Sequence, residues 1–274
     1  MIFTIDGKPH DIDVETSSVF FGEQETLSTP KTDISYTQDW YDKGFNVSGF
    51  LTDAEFTSLL KGVSSCVCNI IQELGIDTPN FCLEKYHHYV RDDETHLKMA
   101  KTTRDLFSKD FNFSIPEIVT KLEQLLNLKL TDVNPDTNLP LHIIVRINRP
   151  NSSDFNPIHK DIYQEFDETD KIPKCINFWI PICGVTPESM LPVAPGSHLI
   201  SEDKILRTFN GGIVNGKKYR VRSVLQWNGK SELHRPEILD GQVLMFSSHL
   251  IHGCAINNQD DTTRVALEFR LFHG

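Results

Sequence analysis

The sequence predicts a mainly β protein with flanking helices, arranged as a sandwich or jelly roll. Before about residue 140, the apolar residues of two stretches, 53–74 and 116–126, recur at intervals of three and four, the period of an amphipathic helix, whereas residues 1–40 show no clear pattern. Beyond Pro140 the chain changes to short β-rich segments that are separated by Gly, Pro and Asn. Many short strands with such turns are typical of a sandwich or jelly roll, whose outer sheet the helices can cover. We therefore expect a single domain over residues 1–274, with a mainly helical part over 1–140 and a β core over 141–274.

The first helix is predicted over residues 53–74, where one face is continuously apolar. Its start is marked by Thr52 and Glu55, which stand at the spacing of a capping box, and its end by Gly75. Two further helices are predicted over residues 116–126, with Pro116 in the first turn, and over residues 99–107.

Six segments after Pro140 carry the β-rich pattern. They are HIIVRINRP (142–150), CINFWIPICGV (175–185), LPVAPGSH (191–198), YRVRSVLQW (219–227), QVLMFSSHLIHGC (242–254) and TRVALEFRLF (263–272). Residues 199–235 lie between the middle strands and the last two segments, and contain Gly-Gly and Asn-Gly turn formers. This segment is predicted to be a mobile lid that sets substrate choice.

The charge balance excludes several classes of partner. The chain has 27 basic and 38 acidic residues and a net charge of -11, which opposes binding to nucleic acid or to an anionic membrane. It contains no apolar run of the ~20 residues needed to span a bilayer, and its N-terminus lacks the pattern of a signal peptide, so we expect a cytoplasmic protein. The 6 cysteines form no C-x-x-C pair and lie in apolar neighbourhoods, which favours buried thiols over disulfides or a zinc cluster.

A candidate metal site begins in the segment NPIHKDIYQEF. In a strand, His159 and Asp161 would point to the same face and present an imidazole beside a carboxylate. Because one H-x-D is expected by chance in such a chain, a further ligand is required. The segment FSSHLIHG supplies His249 and His252 as candidates. Two histidines and one carboxylate leave three positions of an octahedral ion open, which suits Fe(II) in oxygenases.

Arg264 follows His252 at the start of the last strand and offers a guanidinium. This group makes paired hydrogen bonds to a planar carboxylate, so it is suited to hold the far end of a dicarboxylate. The order H-x-D, then His, then Arg is much more specific than H-x-D alone.

With these motifs in order, the chain resembles the phytanoyl-CoA dioxygenase family of Fe(II)- and 2-oxoglutarate-dependent oxygenases. GFNVSGFLTDAEF resembles the opening strand, turn and helix of that family, and RPNSSDFNPIHKD resembles its lead into the metal motif. NFWIPI and LPVAPGSH resemble its middle strands. DGQVLMFSSHLIHGCAINNQDDTTR resembles its end, where a strand delivers the second histidine and an Arg closes the pattern.

The resemblance implies a double-stranded β-helix of the cupin-like jelly-roll type. Its inner face would bind Fe(II) through His159, Asp161 and His252, and Arg264 would hold the distal carboxylate of the cosubstrate 2-oxoglutarate. Asn148 and Trp179 lie where the family has further cosubstrate and pocket contacts. The other partners implied are O2 and a small-molecule substrate. This chain departs from the family two residues after the distal histidine, where members often carry a hydroxyl residue.

Other residues near these motifs have structural interpretations. Strand alternation would place His249 on the face opposite His252, as an ordinary structural histidine, whereas Tyr163 would share the face of the metal ligands and could line the substrate space. His87, His88 and His96 have no ligand partner at useful spacing, so a solvated helix or loop is expected.

The resemblance also bears on the reaction. Relatives that chlorinate carbon lack the carboxylate at the position of Asp161, so its presence favours hydroxylation or a related oxidation. Two alternatives remain open: a cupin-like metal-dependent isomerase or sugar-binding module, and a regulatory protein hydroxylase with a long groove for a peptide.

Overall fold

Fifteen strands and four α-helices make up the described part of the fold. The computed structural model describes residues 1–104, 106, 110–111, 114–135, 137–140, 143–163 and 174–274. The helices are α1 (Asp53–Glu73), α2 (Tyr86–Tyr89), α3 (Asp93–Thr102) and α4 (Ile115–Leu126). The strands are β1 (Ile2–Ile5), β2 (Lys8–Asp11), β3 (Val14–Glu15), β4 (Val19–Phe21), β5 (Phe45–Gly49), β6 (Leu130–Thr131), β7 (Ile144–Asn148), β8 (Cys175–Cys183), β9 (Ile205–Thr208), β10 (Gly212–Val214), β11 (Lys217–Tyr219), β12 (Val224–Trp227), β13 (Glu232–Leu233), β14 (Gln242–Ser247) and β15 (Arg264–His273).

Local capping signals define the helices. The capping box of α1 is present, since the Thr52 N–H donates to the Glu55 carboxylate at 2.8 Å and the Glu55 N–H donates to the Thr52 hydroxyl. Asn127 ends α4 in the left-handed conformation at φ 50°. The prediction of a helix over residues 99–107 was wrong in its bounds: α3 begins six residues earlier because the Asp92 carboxylate accepts the Thr95 N–H at 2.8 Å. Residues 105 and 107 lie outside the described ranges.

The main sheet is antiparallel, with the order β5-β14-β8-β15, and both β6 and β7 pair with β15. Its outer face is apolar and packs against α1, α3 and α4 in one core cluster. Its inner face carries alternating residues such as Trp179, Leu244 and Arg264. This face looks toward a second layer, so that side chains placed there can form a site between the two layers.

The second layer consists of three small sheets, ordered β13-β1-β2, β11-β10-β3 and β12-β9-β4. Each combines one or two strands from residues 1–21 with one or two strands from residues 205–233. Strands β1 to β5 lie within the first fifty residues, so the α-helices of the mainly helical part predicted over 1–140 begin only at Asp53, and β5 is the opening strand that GFNVSG indicated. Extended backbone is favoured here because β1, β3 and β4 each gain a ladder from a distant strand, while β2 pairs with its neighbour β1.

Residues 199–235 thus contain the short strands β9 to β13 and the turns between them. The Val224 N–H donates to the Ile158 carbonyl at 2.7 Å, which ties this segment to the metal motif. The mobile lid stays a prediction, and it concerns the turns rather than these paired strands.

The predicted strand over residues 191–198 forms only isolated bridges. Val193 exchanges backbone hydrogen bonds with His234 at 2.7 and 2.9 Å, but Pro192 and Pro195 lack the N–H groups that a longer ladder needs. None of the six cysteines forms a disulfide. Cys175, Cys183 and Cys254 are buried, as predicted, whereas Cys66 and Cys68 are half-buried and Cys82 is exposed, so the prediction of buried thiols was wrong for these three.

The predicted fold class is confirmed: the chain is mainly β with flanking helices, and its curled sheet is of the double-stranded β-helix, or jelly-roll, type. Among the described residues, no helix combines the length and apolarity required to cross a membrane.

Candidate active site

His159, Asp161 and His252 converge between the two layers. One ligand atom of each lies within 4.8 Å of the other two, and all three residues are buried. The Asp161 carboxylate is 3.4 Å from the His159 Nε2 atom and 3.7 Å from the His252 Nε2 atom. The arrangement offers two nitrogen donors and one oxygen donor to a single point, as a divalent metal requires.

The local structure that joins these residues differs from the predicted strand. His159 forms an isolated bridge with His252, with backbone hydrogen bonds of 2.8 and 3.0 Å in the two directions. The chain turns at Asp161 directly afterwards. The expectation that strand alternation aligns His159 with Asp161 was therefore wrong, since a turn brings the carboxylate beside the paired histidines.

Both histidines are oriented by backbone carbonyls. The Nδ1 atom of His159 donates to the Pro157 carbonyl at 2.7 Å, and that of His252 donates to the Leu250 carbonyl at 3.0 Å. A carbonyl only accepts, so these contacts place the proton on Nδ1 and leave the Nε2 lone pair for a metal. Burial and the neighbouring His159 ring lower the pKa of His252 to about 4, against the opposing effect of Asp161, so its imidazole is neutral at pH 7.

The surroundings of Asp161 favour a bound cation. Its Oδ1 atom accepts from Arg270 at 2.6 Å, whereas its buried Oδ2 atom has no hydrogen-bond partner in the described structure. Burial raises the pKa of Asp161, but Arg270 and the two histidines outweigh burial and hold it well below its ordinary value. A charged, unpartnered oxygen that faces imidazole lone pairs is unfavourable unless a positive ion lies between them.

His249 lies outside this cluster. Strand β14 ends at Ser247, so His249 stands on the following turn and not on a strand face. Its ring is buried, with Nε2 at 3.3 Å from the Thr32 carbonyl, and burial lowers its pKa to about 4.

Arg264 is a buried guanidinium with little to compensate its charge. Within the described structure its Nε atom has no partner, and its one hydrogen bond is a long contact of 3.4 Å to the Ala255 carbonyl. The guanidinium lies 5.7 Å from the centre of the Trp179 ring. Burial and the nearby Arg146 lower the pKa of Arg264 to about 9, which a bound carboxylate would reverse.

Of the other residues near the site, Asn148 and Trp179 lie on the main sheet and Tyr163 packs into the second layer. Asn148 pairs with Arg264 across β7 and β15, but its amide donates to the backbone carbonyls of Asp154 and Ala255. Trp179 is buried on the inner face of β8. Tyr163 does not share the face of the metal ligands, because it packs into the second layer and its hydroxyl donates to Glu202 at 2.6 Å.

A buried ionic cluster of Lys160, Glu202 and Arg207, which we call the anchor, holds the H-x-D motif against the second layer. Lys160, between the two ligands of the H-x-D motif, is fully buried and donates to Glu202 at 2.7 Å. The same carboxylate accepts from Tyr163 and from Arg207 at 2.7 Å. Glu202 satisfies three donors at once, so the anchor carries no unpaired carboxylate.

Sequence reasoning missed three charged residues beside the candidate metal ligands. Arg146 on β7 makes a two-bond pair with Glu268 on β15, at 2.8 and 3.0 Å, and Arg270 contacts Asp161. The sequence could have indicated them. Arg264, Glu268 and Arg270 are separated by even numbers of residues in the otherwise apolar segment TRVALEFRLF, so they share one face of the strand.

A second group of possible ligands lies on the surface. The Asp261 carboxylate is 2.9 Å from the His87 ring and 3.0 Å from the His88 ring, and it also pairs with Lys85.

The expectation that His96 is solvated was wrong, since its buried ring contacts the Tyr86 hydroxyl at 3.1 Å.

The sequence model of the phytanoyl-CoA dioxygenase family matches residues 45–266 of the chain. This range contains the bridge, the metal motif and Arg264. No curated protein matches the chain significantly.

Several solved structures are distantly similar. AviO1 from Streptomyces viridochromogenes Tue57 is 15% identical, with 90% of this chain and 96% of that chain covered and a TM-score of 0.46. EvdO2 from Micromonospora carbonacea var. aurantiaca, complexed with 2-oxoglutarate, is 14% identical, with 86% and 89% covered and a TM-score of 0.45. EctD from S. alaskensis is 14% identical, with 96% and 85% covered and a TM-score of 0.45. The family match over most of the chain carries the assignment: this protein belongs to the phytanoyl-CoA dioxygenase family and is an oxygenase that depends on Fe(II) and 2-oxoglutarate.

Proposed function

We propose that this oxygenase hydroxylates, or otherwise oxidises, a C–H bond of a small polar metabolite, consuming O2 and 2-oxoglutarate and releasing succinate and CO2. His159, Asp161 and His252 hold Fe(II), and Arg264 binds the distal carboxylate of 2-oxoglutarate. The observation that carries the proposal is a convergent ligand triad together with a buried guanidinium to which the described residues offer no hydrogen-bonded anionic partner.

The protein's own groups prepare the site before any reaction. The carbonyls of Pro157 and Leu250 fix both imidazoles with their Nε2 lone pairs toward Asp161, so three ligand atoms are preoriented. When bound, Fe(II) supplies the oxidative chemistry by which loss of CO2 from 2-oxoglutarate is coupled to cleavage of a substrate C–H bond. Because the triad contains a carboxylate in place of an open halide position, the site favours hydroxylation over halogenation.

Arg264 is the main protein contact of the distal carboxylate of 2-oxoglutarate. The residue two positions after His252 is Cys254, a buried thiol whose pKa burial raises to about 12, so it stays neutral and is a weak hydrogen-bond donor. Trp179 closes the space beside the Arg264 guanidinium and restricts the orientation of a bound dicarboxylate. Asn148 contributes indirectly by fixing the backbone at Ala255.

Anaerobic titration tests the proposal directly. Fe(II) and 2-oxoglutarate added together to the protein should produce the weak visible charge-transfer band of the chelate, and neither should produce it alone. Succinate release on admission of O2, screened over polar metabolites, then identifies substrates. A metal-dependent isomerase would bind the metal without the 2-oxoglutarate band, and that outcome would refute the proposal.

A further inference from the structure

A group of two histidines and one aspartate lies on the surface, apart from the ligands of the candidate active site. The Nε2 atoms of His87 and His88 are 2.9 and 3.0 Å from the same Asp261 oxygen, Oδ1, and one ligand atom of each residue lies within 4.8 Å of the other two. Atoms that bind one zinc ion at about 2.0 to 2.2 Å stand roughly 3 to 3.5 Å apart. Small side-chain rotations therefore suffice to place an ion among these three residues, which we call the surface triad.

His87 is oriented by a buried hydroxyl. Its Nδ1 atom is 2.8 Å from the Thr263 Oγ1 atom, and Thr263 is fully buried. When Nδ1 carries the proton and donates to this oxygen, the Nε2 lone pair is left for a metal. An outer partner of this kind fixes both the ring orientation and the tautomer of a metal-binding histidine.

The two segments that supply the ligands are anchored to the rest of the fold. Both histidines lie on α2, whose first residue, Tyr86, is fully buried in the core. The loop that supplies Asp261 is joined to the same region, because the Thr263 N–H donates to the Glu84 carbonyl at 2.8 Å. The segments are 173 residues apart in the chain, so sequence spacing gave no partner for the histidines.

Lys85 orients the Asp261 carboxylate and leaves its Oδ1 atom to the imidazoles. The ammonium donates to Oδ2 and to the Asp261 backbone carbonyl, both at 2.5 Å. Lys85 first, and then the two histidines, hold the pKa of Asp261 well below its ordinary value, so the carboxylate is charged at pH 7. An ionised carboxylate accepts at both oxygens, so an ammonium at Oδ2 and a metal at Oδ1 can bind together. The side chains of Lys85 and Asp261 are 38% and 60% exposed, so water screens the repulsion between the ammonium and a bound ion.

The donor set indicates the class of metal. Mg(II) and Ca(II) prefer oxygen ligands, which argues against them at a site with two imidazoles. Mn(II) and Fe(II) stand at the weak end of the affinity series of divalent ions. Zn(II) accepts two histidines and one carboxylate with water in the fourth position, and the net charge of -11 adds a general attraction for cations.

We propose that the surface triad is a second metal site, which binds Zn(II) through the Nε2 atoms of His87 and His88 and the Oδ1 atom of Asp261, with water completing the coordination. The bound ion joins α2 to the loop over residues 257–263, which leads directly into Arg264. This site is additional to the proposed function and does not depend on it.

Calorimetric titration with Zn(II), on protein without a histidine tag, tests the site. Zn(II) also fits the active-site triad, so the wild type should take up two ions per chain, one at each group of ligands. His252→Ala should keep the ion of the surface triad. Adding His87→Ala and His88→Ala to this variant should remove that ion as well. The decisive readout is the one ion that is lost with the two surface histidines.

A milder variant and a control accompany this comparison, both in the His252→Ala protein. Asp261→Asn keeps the shape of the side chain but removes the anionic ligand, and it should weaken zinc binding by more than the roughly 10- to 100-fold that is typical for loss of an outer partner. His273→Ala removes an exposed histidine at the end of β15 and should leave zinc binding unchanged. An unchanged zinc affinity after loss of His87 and His88, or of the Asp261 charge, would overturn the inference.

Diffraction from the wild type decides the question even if the variants fold poorly. Crystals grown with Zn(II) and measured at the zinc absorption edge should show an anomalous peak bonded to His87, His88 and Asp261. Absence of this peak would show that the surface triad is only a hydrogen-bonded group of side chains, and the inference would be overturned.

Discussion

Replacing Arg264 by methionine should separate what its burial costs from what it contributes to cosubstrate binding. The pKa of this guanidinium falls from 12.5 to about 9, which corresponds to roughly 5 kcal/mol against the charged form in the protein without 2-oxoglutarate. A carboxylate placed against it recovers much of that free energy. Loss of this contact should therefore weaken 2-oxoglutarate binding by about 2 to 5 kcal/mol, or roughly 30-fold to several thousand-fold.

Thermal unfolding of the Mn(II)-loaded protein with and without 2-oxoglutarate measures both effects. At 100 times its Kd, 2-oxoglutarate should stabilise the wild type by about 2.7 kcal/mol, which raises Tm by roughly 5 to 10 °C. With a Kd at least 30-fold weaker, Arg264→Met should gain no more than about 0.9 kcal/mol at the same concentration. Without 2-oxoglutarate the variant should be at least as stable as the wild type, because an apolar side chain of similar length replaces an uncompensated charge.

Two results would refute this reasoning. An undiminished increase of Tm with 2-oxoglutarate in the variant would remove Arg264 from the cosubstrate site. A variant that is several kcal/mol less stable without 2-oxoglutarate would show that the guanidinium already has an anionic partner inside the protein.

Three further outcomes are expected. His252→Ala should abolish Mn(II) binding in calorimetry and His249→Ala should retain most of it; the opposite result would move the metal to the turn after β14. Burial lowers the pKa of His96 from 6.5 to about 4, so the unfolded chain takes up this proton first. The stability that neutral His96 contributes is fully present above pH 6.5 and should be lost as the pH falls toward 4, by at most about 1.4 kcal/mol per pH unit. Urea titrations at several pH values measure this dependence. If the free energy of unfolding of His96→Gln fell with pH as steeply as that of the wild type, the expectation would be contradicted. Limited proteolysis without substrate should cut first at the Asn-Gly turns of residues 199–235, and a first cut elsewhere would argue against a lid.

The sequence predicted features that local chemistry determines. The capping box at Thr52 and the apolar face that follows it are encoded within a few residues, so α1 was predicted to within a residue at its end. The motif spacing likewise predicted which residues form the cluster, because His159, Asp161 and His252 are recognised by type and order. That assignment as Fe(II) ligands stays a prediction for the experiments above.

Features that depend on distant partners were not predictable in the same way. The strands of residues 1–21 are two to four residues long and carry little periodicity, and β1, β3 and β4 are extended because strands of residues 205–233 pair with them. The conformation at Asp161 is a turn that depends on the bridge to His252, which no local pattern indicates. Proline content could have argued against a strand over residues 191–198, where the apolar residues suggested one.

The anchor at Glu202 limits how the substrate range of this enzyme can change. Glu202 belongs to the stretch that shapes the second layer, yet it is bonded to Lys160 between two proposed metal ligands. A chimaera that exchanges the whole of 199–235 would remove this bond and disturb the iron site together with the pocket. Grafts that begin after Thr208, beyond Arg207, keep the anchor and leave the turns between β9 and β13 free to vary. Natural or engineered diversification should therefore concentrate downstream of that boundary.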